Sequence, residues 1–141
     1  MAAELWRYAE TSGLLAAFLE ADPGALAALR VEARFVCSAL TFAEAARSIV
    51  RLLALGSLSH SRAHETLGAI QGFERRCTRV EISREILLRL ASPFPFEPVR
   101  SLDAIHLATM LALGEPSLLV TVVSRDRRVR ANAAALGFAL A

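Results

Sequence analysis

The chain has no lysine; all sixteen of its basic residues are arginine. That absence excludes Schiff-base chemistry, a Walker-type phosphate loop and a lysine general base. It also argues against a phospho-receiver domain, a design that needs a lysine near its phosphoacceptor. Cysteine is scarce. Cys37 and Cys77 lie forty residues apart with no CxxC, so neither a zinc site nor a redox motif is indicated, and two reduced, buried thiols are expected. No GxGxxG follows the first predicted strand, which excludes a dinucleotide-binding domain. No window of about eighteen residues stays apolar without charge or proline, so no membrane span is expected. Glu4, Arg7 and Glu10 leave no room for a signal peptide, and a cytoplasmic protein is predicted. Repeats, linkers and low-complexity tracts are also absent.

What is there is one domain's worth of apolar chain. The 141 residues are 55% apolar with a net charge of +2, so residues 1–141 read as a single domain. The mean hydropathy of +0.43 is high for a monomer, and part of the excess is expected to cover an interface. The mildly basic pI near 8.9 permits a polyanionic partner without demanding one.

Strand and helix patterns alternate along the chain. Leu5 to Ala9 reads as a strand, followed by a helix over Leu14–Glu20. Asp22-Pro23 caps and starts a second helix through Arg34, and Phe35–Cys37 is a second strand. Ser38 leads into a helix to Leu55, stopped by Gly56, and Ser59 starts another to Arg75. Cys77–Ile82 alternates as a more exposed strand, and Ser83 caps a helix to Ala91. Three prolines make residues 92–98 a loop. Leu118–Val123 is a continuous apolar run and so a buried strand. The helix Arg127–Leu136 and a short strand over Gly137–Leu140 complete an open, mostly parallel α/β sheet.

The stretch Arg100–Met110 stands out. From Leu102 to Leu113 it is helical and apolar all round, with Ser101 as N-cap and Gly114 as stop, which places it inside the domain. Its one charge is Asp103. A buried carboxylate must be paired, hydrogen-bonded, protonated or bound to a cation, or else it stabilises the helix N-terminus as a simple dipole charge. Working groups in such sheets lie just past the carboxyl ends of the strands. Glu10 follows the first strand and Asp126 the buried one. Glu44 lies early in the helix after the second strand. Four acids distant in sequence therefore have a common edge to converge on. Like charges that close repel unless a cation holds them, and oxygen-only ligands favour Mg²⁺ or Mn²⁺ over zinc. Metal-assisted phosphodiester hydrolysis is the matching reaction class. Ordinary helix capping remains the alternative for each acid.

Four stretches resemble motifs of one family in the right order. They are Tyr8-Ala-Glu-Thr-Ser-Gly-Leu-Leu15, Ser38-Ala-Leu-Thr-Phe-Ala-Glu44, Arg100-Ser-Leu-Asp-Ala-Ile-His-Leu-Ala108, and Ser124-Arg-Asp-Arg-Arg128 with its downstream Leu136-Gly137. Together they are similar to the PIN-domain ribonucleases, in particular the VapC-type toxins of bacterial toxin–antitoxin pairs. The resemblance runs from Tyr8 to Phe138. It implies a three-layer sandwich with a parallel sheet of four or five strands between helices. It also implies Mg²⁺- or Mn²⁺-dependent endonucleolytic cleavage of RNA, an antitoxin partner and a homodimer. Glu10, Glu44, Asp103 and Asp126 would be the metal-binding acids, with Ser12 and Ser124 supporting them. One departure stands out, for the family usually carries aspartate where this chain has Glu10. The extra methylene moves the carboxylate by roughly 1.5 Å. Metal binding survives that through a shifted backbone, a water bridge or bidentate coordination; otherwise the fold is a binding module with lost catalysis.

Other candidates carry plainer alternatives. Arg125, Arg127, Arg128 and Arg130 either grip RNA phosphates or form a solvated helix face. His106 follows Asp103 by one helical turn and either orients it, touches substrate, or is a core histidine bonded to backbone. Glu44 shares a helix face with Arg47 and Arg51, as an ion-paired surface stripe would. His60 and His64 have metal-pair spacing but lack the accompanying glutamate, and read as a solvated face. Trp6, Phe94 and Phe96 are too scattered for a base-stacking platform.

Overall fold

Five strands form one sheet in the computed structural model, which describes residues 5–114 and 117–141. They are β1 (Trp6–Ala9), β2 (Arg34–Ser38), β3 (Thr78–Val80), β4 (Val120–Val123) and β5 (Ala139–Leu140). Every pairing is parallel, in the order β3-β2-β1-β4-β5. A parallel sheet is covered on both faces, which is why Phe35-Val36-Cys37 and Val120–Val123 do not alternate with polar residues. Seven helices cover it: α1 (Thr11–Phe18), α2 (Pro23–Arg30), α3 (Ala39–Ala54), α4 (His60–Glu74), α5 (Arg84–Arg89), α6 (Ser101–Leu111) and α7 (Arg127–Ala135).

The two faces have separate cores. Tyr8, Val120 and Val122 pack with Ile86, Leu107, Met110 and Val129 of α5, α6 and α7. Ala9, Phe35 and Val123 face the other way, against Leu14, Ala17, Leu29 and Phe73 of α1, α2 and α4. Ile49 of α3 and Ile70 of α4 close a third cluster on that side. The result is the expected three-layer sandwich, with five strands.

Side-chain caps start the helices where the sequence places them. Asp22 Oδ1 accepts from Ala25 N at 2.7 Å with Pro23 behind it, and Ser38, Ser59 and Ser83 cap α3, α4 and α5. Several boundaries differ from expectation, with β3 shorter at Thr78–Val80 and α1, α5 and α6 ending early at Phe18, Arg89 and Leu111. α1 begins at Thr11, not Leu14, because Glu10 is its N-cap. α2 ends at Arg30, as Val31 turns extended toward β2. Ser101 is the first residue of α6 and not its cap. Arg100 holds the extended cap conformation and its carbonyl accepts from Ala104 N, so the helix starts one residue early and Asp103 lies in its first turn. The run before Val123 opens as a 3-10 turn over Ser117–Leu119, and the strand begins at Val120. α6 is also less enclosed than an all-apolar helix predicts. Leu102 and Leu111 emerge at its ends, while His106 and Thr109 are buried.

The loop before α6 is tied down from both sides. Glu97 accepts from Phe94 N and Val99 N at 3.0 and 2.7 Å, and Asn132 of α7 exchanges hydrogen bonds with the Phe96 backbone at 2.9 and 3.2 Å. No single described helix is long and apolar enough to cross a membrane.

The chain builds outward from β1 to β2 and β3, then crosses to the other side for β4 and β5. The direction reverses at β1, so the crevice at the carboxyl ends of β1, β2 and β4 is where a ligand is expected. One glycine lets α1 sit there. A Cβ at Gly13 would stand 2.5 Å from the Val123 carbonyl oxygen and 2.9 Å from its carbon. Backbone at that distance cannot yield, so Gly13→Ala is expected to cost about 1–3 kcal/mol. Urea unfolding measures it, and an unchanged midpoint would mean that α1 is free to shift away from β4.

Candidate active site

Glu10 leaves β1 with its backbone N–H on the Val123 carbonyl at 3.0 Å, which joins it to the end of β4. Its side chain folds back over the N-terminus of α1. Oε2 accepts from Ser12 N at 3.2 Å, from the Ser12 hydroxyl, and from Ser124 Oγ at 2.7 Å. Three donors on one oxygen, beside the positive end of a helix, compensate a carboxylate that is only 4% exposed. Ser12 Oγ in turn accepts from the backbone N–H groups of Arg125 and Asp126 at 2.8 and 3.0 Å. Ser12 and Ser124 thereby fasten the 124–126 turn to Glu10. Asp126 completes the turn as N-cap of α7, with Oδ1 accepting from Val129 N at 3.0 Å.

A second chain of contacts crosses the sheet end from β1 through α6 to α3. The Tyr8 hydroxyl lies 2.8 Å from His106 Nδ1, and His106 Nε2 lies 2.5 Å from Glu44 Oε1. The Thr11 hydroxyl donates to that same Glu44 oxygen at 2.8 Å. His106 is therefore neither bonded to backbone nor aimed at Asp103. Both ring nitrogens thus have side-chain partners, Nδ1 the Tyr8 hydroxyl and Nε2 the Glu44 carboxylate. Burial, followed by the charge of Glu10, pushes the Tyr8 phenol well above its ordinary value, so it remains a neutral donor. Burial would push Glu44 up, but the hydrogen bond and charge of His106 and the Thr11 hydroxyl outweigh it and hold the carboxyl below its usual range. Glu44 pairs with His106 from another helix rather than along an Arg47–Arg51 surface stripe. Position i,i+3 to Asp103 drew attention to His106, but nothing in the sequence pointed to Tyr8 as its partner.

Asp103 is the least compensated acid. Its Oδ2 is shut off from solvent and has no hydrogen-bond partner, with the exposed Arg100 Nε at 3.5 Å as its ion pair. Burial first, and then repulsion from Asp126, raise its pKa; Arg100 and His106 offset only part of this. A lone helix-dipole charge would not be held in that state. Among the described residues, no three His, Cys, Asp or Glu side chains lie together as a metal-holding group. The four acids have different surroundings, and Asp126 lines one cleft while Glu44 lines another groove. Glu10 and Glu44 are occupied by hydroxyl and imidazole donors, while Asp103 and Asp126 act on each other. An orphaned buried carboxylate oxygen next to a second carboxylate fits a hard, oxygen-liganded cation. Mg²⁺ needs only one or two protein carboxylates, with water and phosphate supplying the rest.

The arginines divide. A cleft of about 500 Å³ is lined by Arg100, Arg125, Asp126, Arg127 and Arg128. Arg125 is committed to the main-chain oxygens of Ser124 and Ala141 and to Asp22, at 3.0–3.3 Å. Arg130 bonds the same two main-chain oxygens at 2.8 and 2.9 Å. Arg127 and Arg128 are exposed at the cleft, where Arg128 also reaches Pro98 O at 3.2 Å. Arg100 joins them, a residue singled out beforehand only as the start of a motif. A second groove of about 290 Å³, lined by Leu40, Ala43, Glu44, Arg47, Ser48, Arg51 and Leu102, opens on the Glu44 side. His60 and His64 are exposed on α4, a solvated face as expected. Cys37 is buried and Cys77 half-buried, both free thiols.

Comparison with known proteins agrees with this geometry. The PIN domain family profile matches residues 8–135. Ribonuclease VapC35 of Mycobacterium tuberculosis, in both the CDC 1551 / Oshkosh and H37Rv strains, is 34% identical over 137 residues, covering 94% of this chain and 93% of the relative. Among solved structures, VapBC-1 from nontypeable Haemophilus influenzae superposes with a TM-score of 0.62 over 97% of each chain, at 13% identity, a likeness of fold. With a profile match running from the end of β1 to the end of α7 and a relative of nearly equal length, the chain belongs to the PIN-domain family.

Proposed function

We propose that the protein is a metal-dependent endoribonuclease of the VapC type that hydrolyses RNA phosphodiester bonds. The observation that carries this reading is Asp103 Oδ2, buried without a hydrogen-bond partner and facing the field of Asp126. Asp103 and Asp126 would hold Mg²⁺ or Mn²⁺, with Glu10 and Glu44 beside them. When bound, such an ion neutralises phosphate charge and lowers the pKa of a bound water. The chain's own residues do the rest. Ser12 and Ser124 hold the 124–126 turn against Glu10, so Asp126 is presented by a fixed backbone. Arg100, Arg127 and Arg128 line the cleft where the RNA backbone would lie, and guanidinium groups suit phosphate oxygens.

The reading extends to the protein's partners. As the toxin of a cytoplasmic toxin–antitoxin pair, the protein would lay an antitoxin segment along the groove from Leu40 to Leu102 and shield Glu44. Val50 on α3 and Leu55 just past its end are 43% and 70% exposed, a hydrophobic edge suited to a homodimer. Light scattering at micromolar concentration should give twice the 15.2 kDa chain mass; a persistent monomer excludes that arrangement.

A second reading is a PIN-fold module that grips RNA or a protein without cutting. It is favoured by the occupied state of Glu10 and by the absence of a three-carboxylate group among the described residues. Asp103→Asn separates the two. A folded-state pKa raised above the unfolded one means that the ionised form opposes folding. Metal-free stability should fall as pH rises through the Asp103 titration and be regained at lower pH. Removing the charge should therefore raise the metal-free Tm, even though a helix-dipole charge worth about 0.3–1 kcal/mol is lost. Magnesium at one hundred times its Kd should stabilise the wild type by about 2.7 kcal/mol. The variant should lose both that response and RNA cleavage. A lowered Tm with the magnesium response intact would sink this site.

The arginine division is testable through salt. Replacing Arg127 and Arg128 together should reduce the slope of log K for RNA against log salt by about one to two. Arg125→Ala and Arg130→Ala should instead lower Tm, because both hold main-chain oxygens. An unchanged slope in the double variant would put the RNA elsewhere.

A further inference from the structure

We propose that His106, anchored by Tyr8, is a positioning residue that sets the orientation of the Glu44 carboxylate at the metal site; this rests on the reading of Glu44 as part of that site.

The argument is geometric. Glu44 sits on α3, while the other three acids come from β1, α6 and the β4–α7 turn, so its carboxylate must be carried inward by contacts from elsewhere. Those contacts converge on one atom. His106 Nε2 and the Thr11 hydroxyl both meet Oε1, at 2.5 and 2.8 Å, and hold the side chain to one rotamer while Oε1 itself is used. His106 is fully buried and cannot swing aside. Its ring is fixed from behind by the Tyr8 hydroxyl at 2.8 Å and packs edge-on to the Tyr8 ring, with centroids 6.0 Å apart. Tyr8 is itself fully buried in β1, one of whose flanking strands carries the Ser124 turn. A rigid line thus runs from the central strand through an imidazole to a carboxylate, with no water-exposed link before Glu44. Outer contacts of this type orient ligands and tune the affinity of the ion they hold. A histidine that served only the core would satisfy its nitrogens on backbone, and this one spends both on side chains of opposite ends of the site.

The test is a double-mutant cycle between Tyr8→Phe and Glu44→Gln, read by the magnesium concentration that gives half of the metal-induced rise in Tm. Tyr8→Phe keeps the ring and its packing and removes only the anchor. It should raise that concentration about tenfold and lower kcat for RNA with KM unchanged. In the Glu44→Gln background the same change should have no further effect on the magnesium response, because the carboxylate charge that it positions is gone. His106→Gln, which keeps a donor at the end of a planar group, should recover part of the response that His106→Ala loses. A wild-type magnesium response in Tyr8→Phe, or an undiminished tenfold effect in the Glu44→Gln background, would overturn the positioning role while leaving the metal site standing. A Glu44→Gln protein with the wild-type response would instead overturn the placement of Glu44 at the metal, and this inference with it.

Discussion

The carboxyl end of the parallel sheet is governed by the cost of taking the carboxylates of Glu10, Glu44, Asp103 and Asp126 out of water. Burial penalises each ionised group, and repulsion from Asp126 adds to the penalty on Asp103. Three of the four have compensating donors. Glu10 has two hydroxyls and a helix N-terminal amide, Glu44 an imidazole and a hydroxyl, and Asp126 the Val129 amide of α7. Asp103 has an exposed arginine at 3.5 Å and no hydrogen bond on its inner oxygen. An exposed ion pair contributes about 0–1 kcal/mol, too little to offset a carboxylate oxygen cut off from water. The least compensated position is thus concentrated in one atom, Asp103 Oδ2.

The fold was legible because its signals are redundant. Apolar runs without alternation, helix caps at Asp22, Ser38, Ser59 and Ser83, and prolines at 93, 95 and 98 all agree on the same order of elements. Errors occurred where a side chain serves two purposes. Glu10 looked like a site residue following a strand and is also the cap of α1, so the helix starts three residues earlier than apolar periodicity suggested. Ser101 has the composition of a cap, but the extended turn falls on Arg100. The positions of Glu10 and Asp126 just past the ends of β1 and β4 follow from topology and could be read from the chain. The state of the acids could not, because it depends on contacts such as Tyr8 to His106 that span 98 residues and have no local signature.

The absence of lysine has a consequence for the arginines. A chain restricted to guanidinium for its positive charge must use the same group for structure and for recognition. Arg125 and Arg130 show the structural use. Their planar forks gather the Ser124 and Ala141 carbonyls and fasten α7 and the β5 edge to the site turn. Arg127 lies one helical position beyond Asp126 and Arg128 two, and both emerge at the cleft because Val129 takes the buried side of that turn. Charge clustering in sequence therefore overstates the binding surface; the phase of α7 decides which arginines remain available to a phosphate.

Glu10 brings these constraints together. With aspartate in its place, the carboxylate would end one methylene short of where Oε2 now sits, and all three donors could not be met from the same backbone. The longer side chain reaches back to Ser12 and Ser124, and those two hydroxyls carry the backbone of Arg125 and Asp126. The departure from the aspartate expected by resemblance is thus built into the local structure. It makes the Glu10 carboxylate the organiser of the turn that carries Asp126, joining the end of β1 to the start of α7 through two serine hydroxyls.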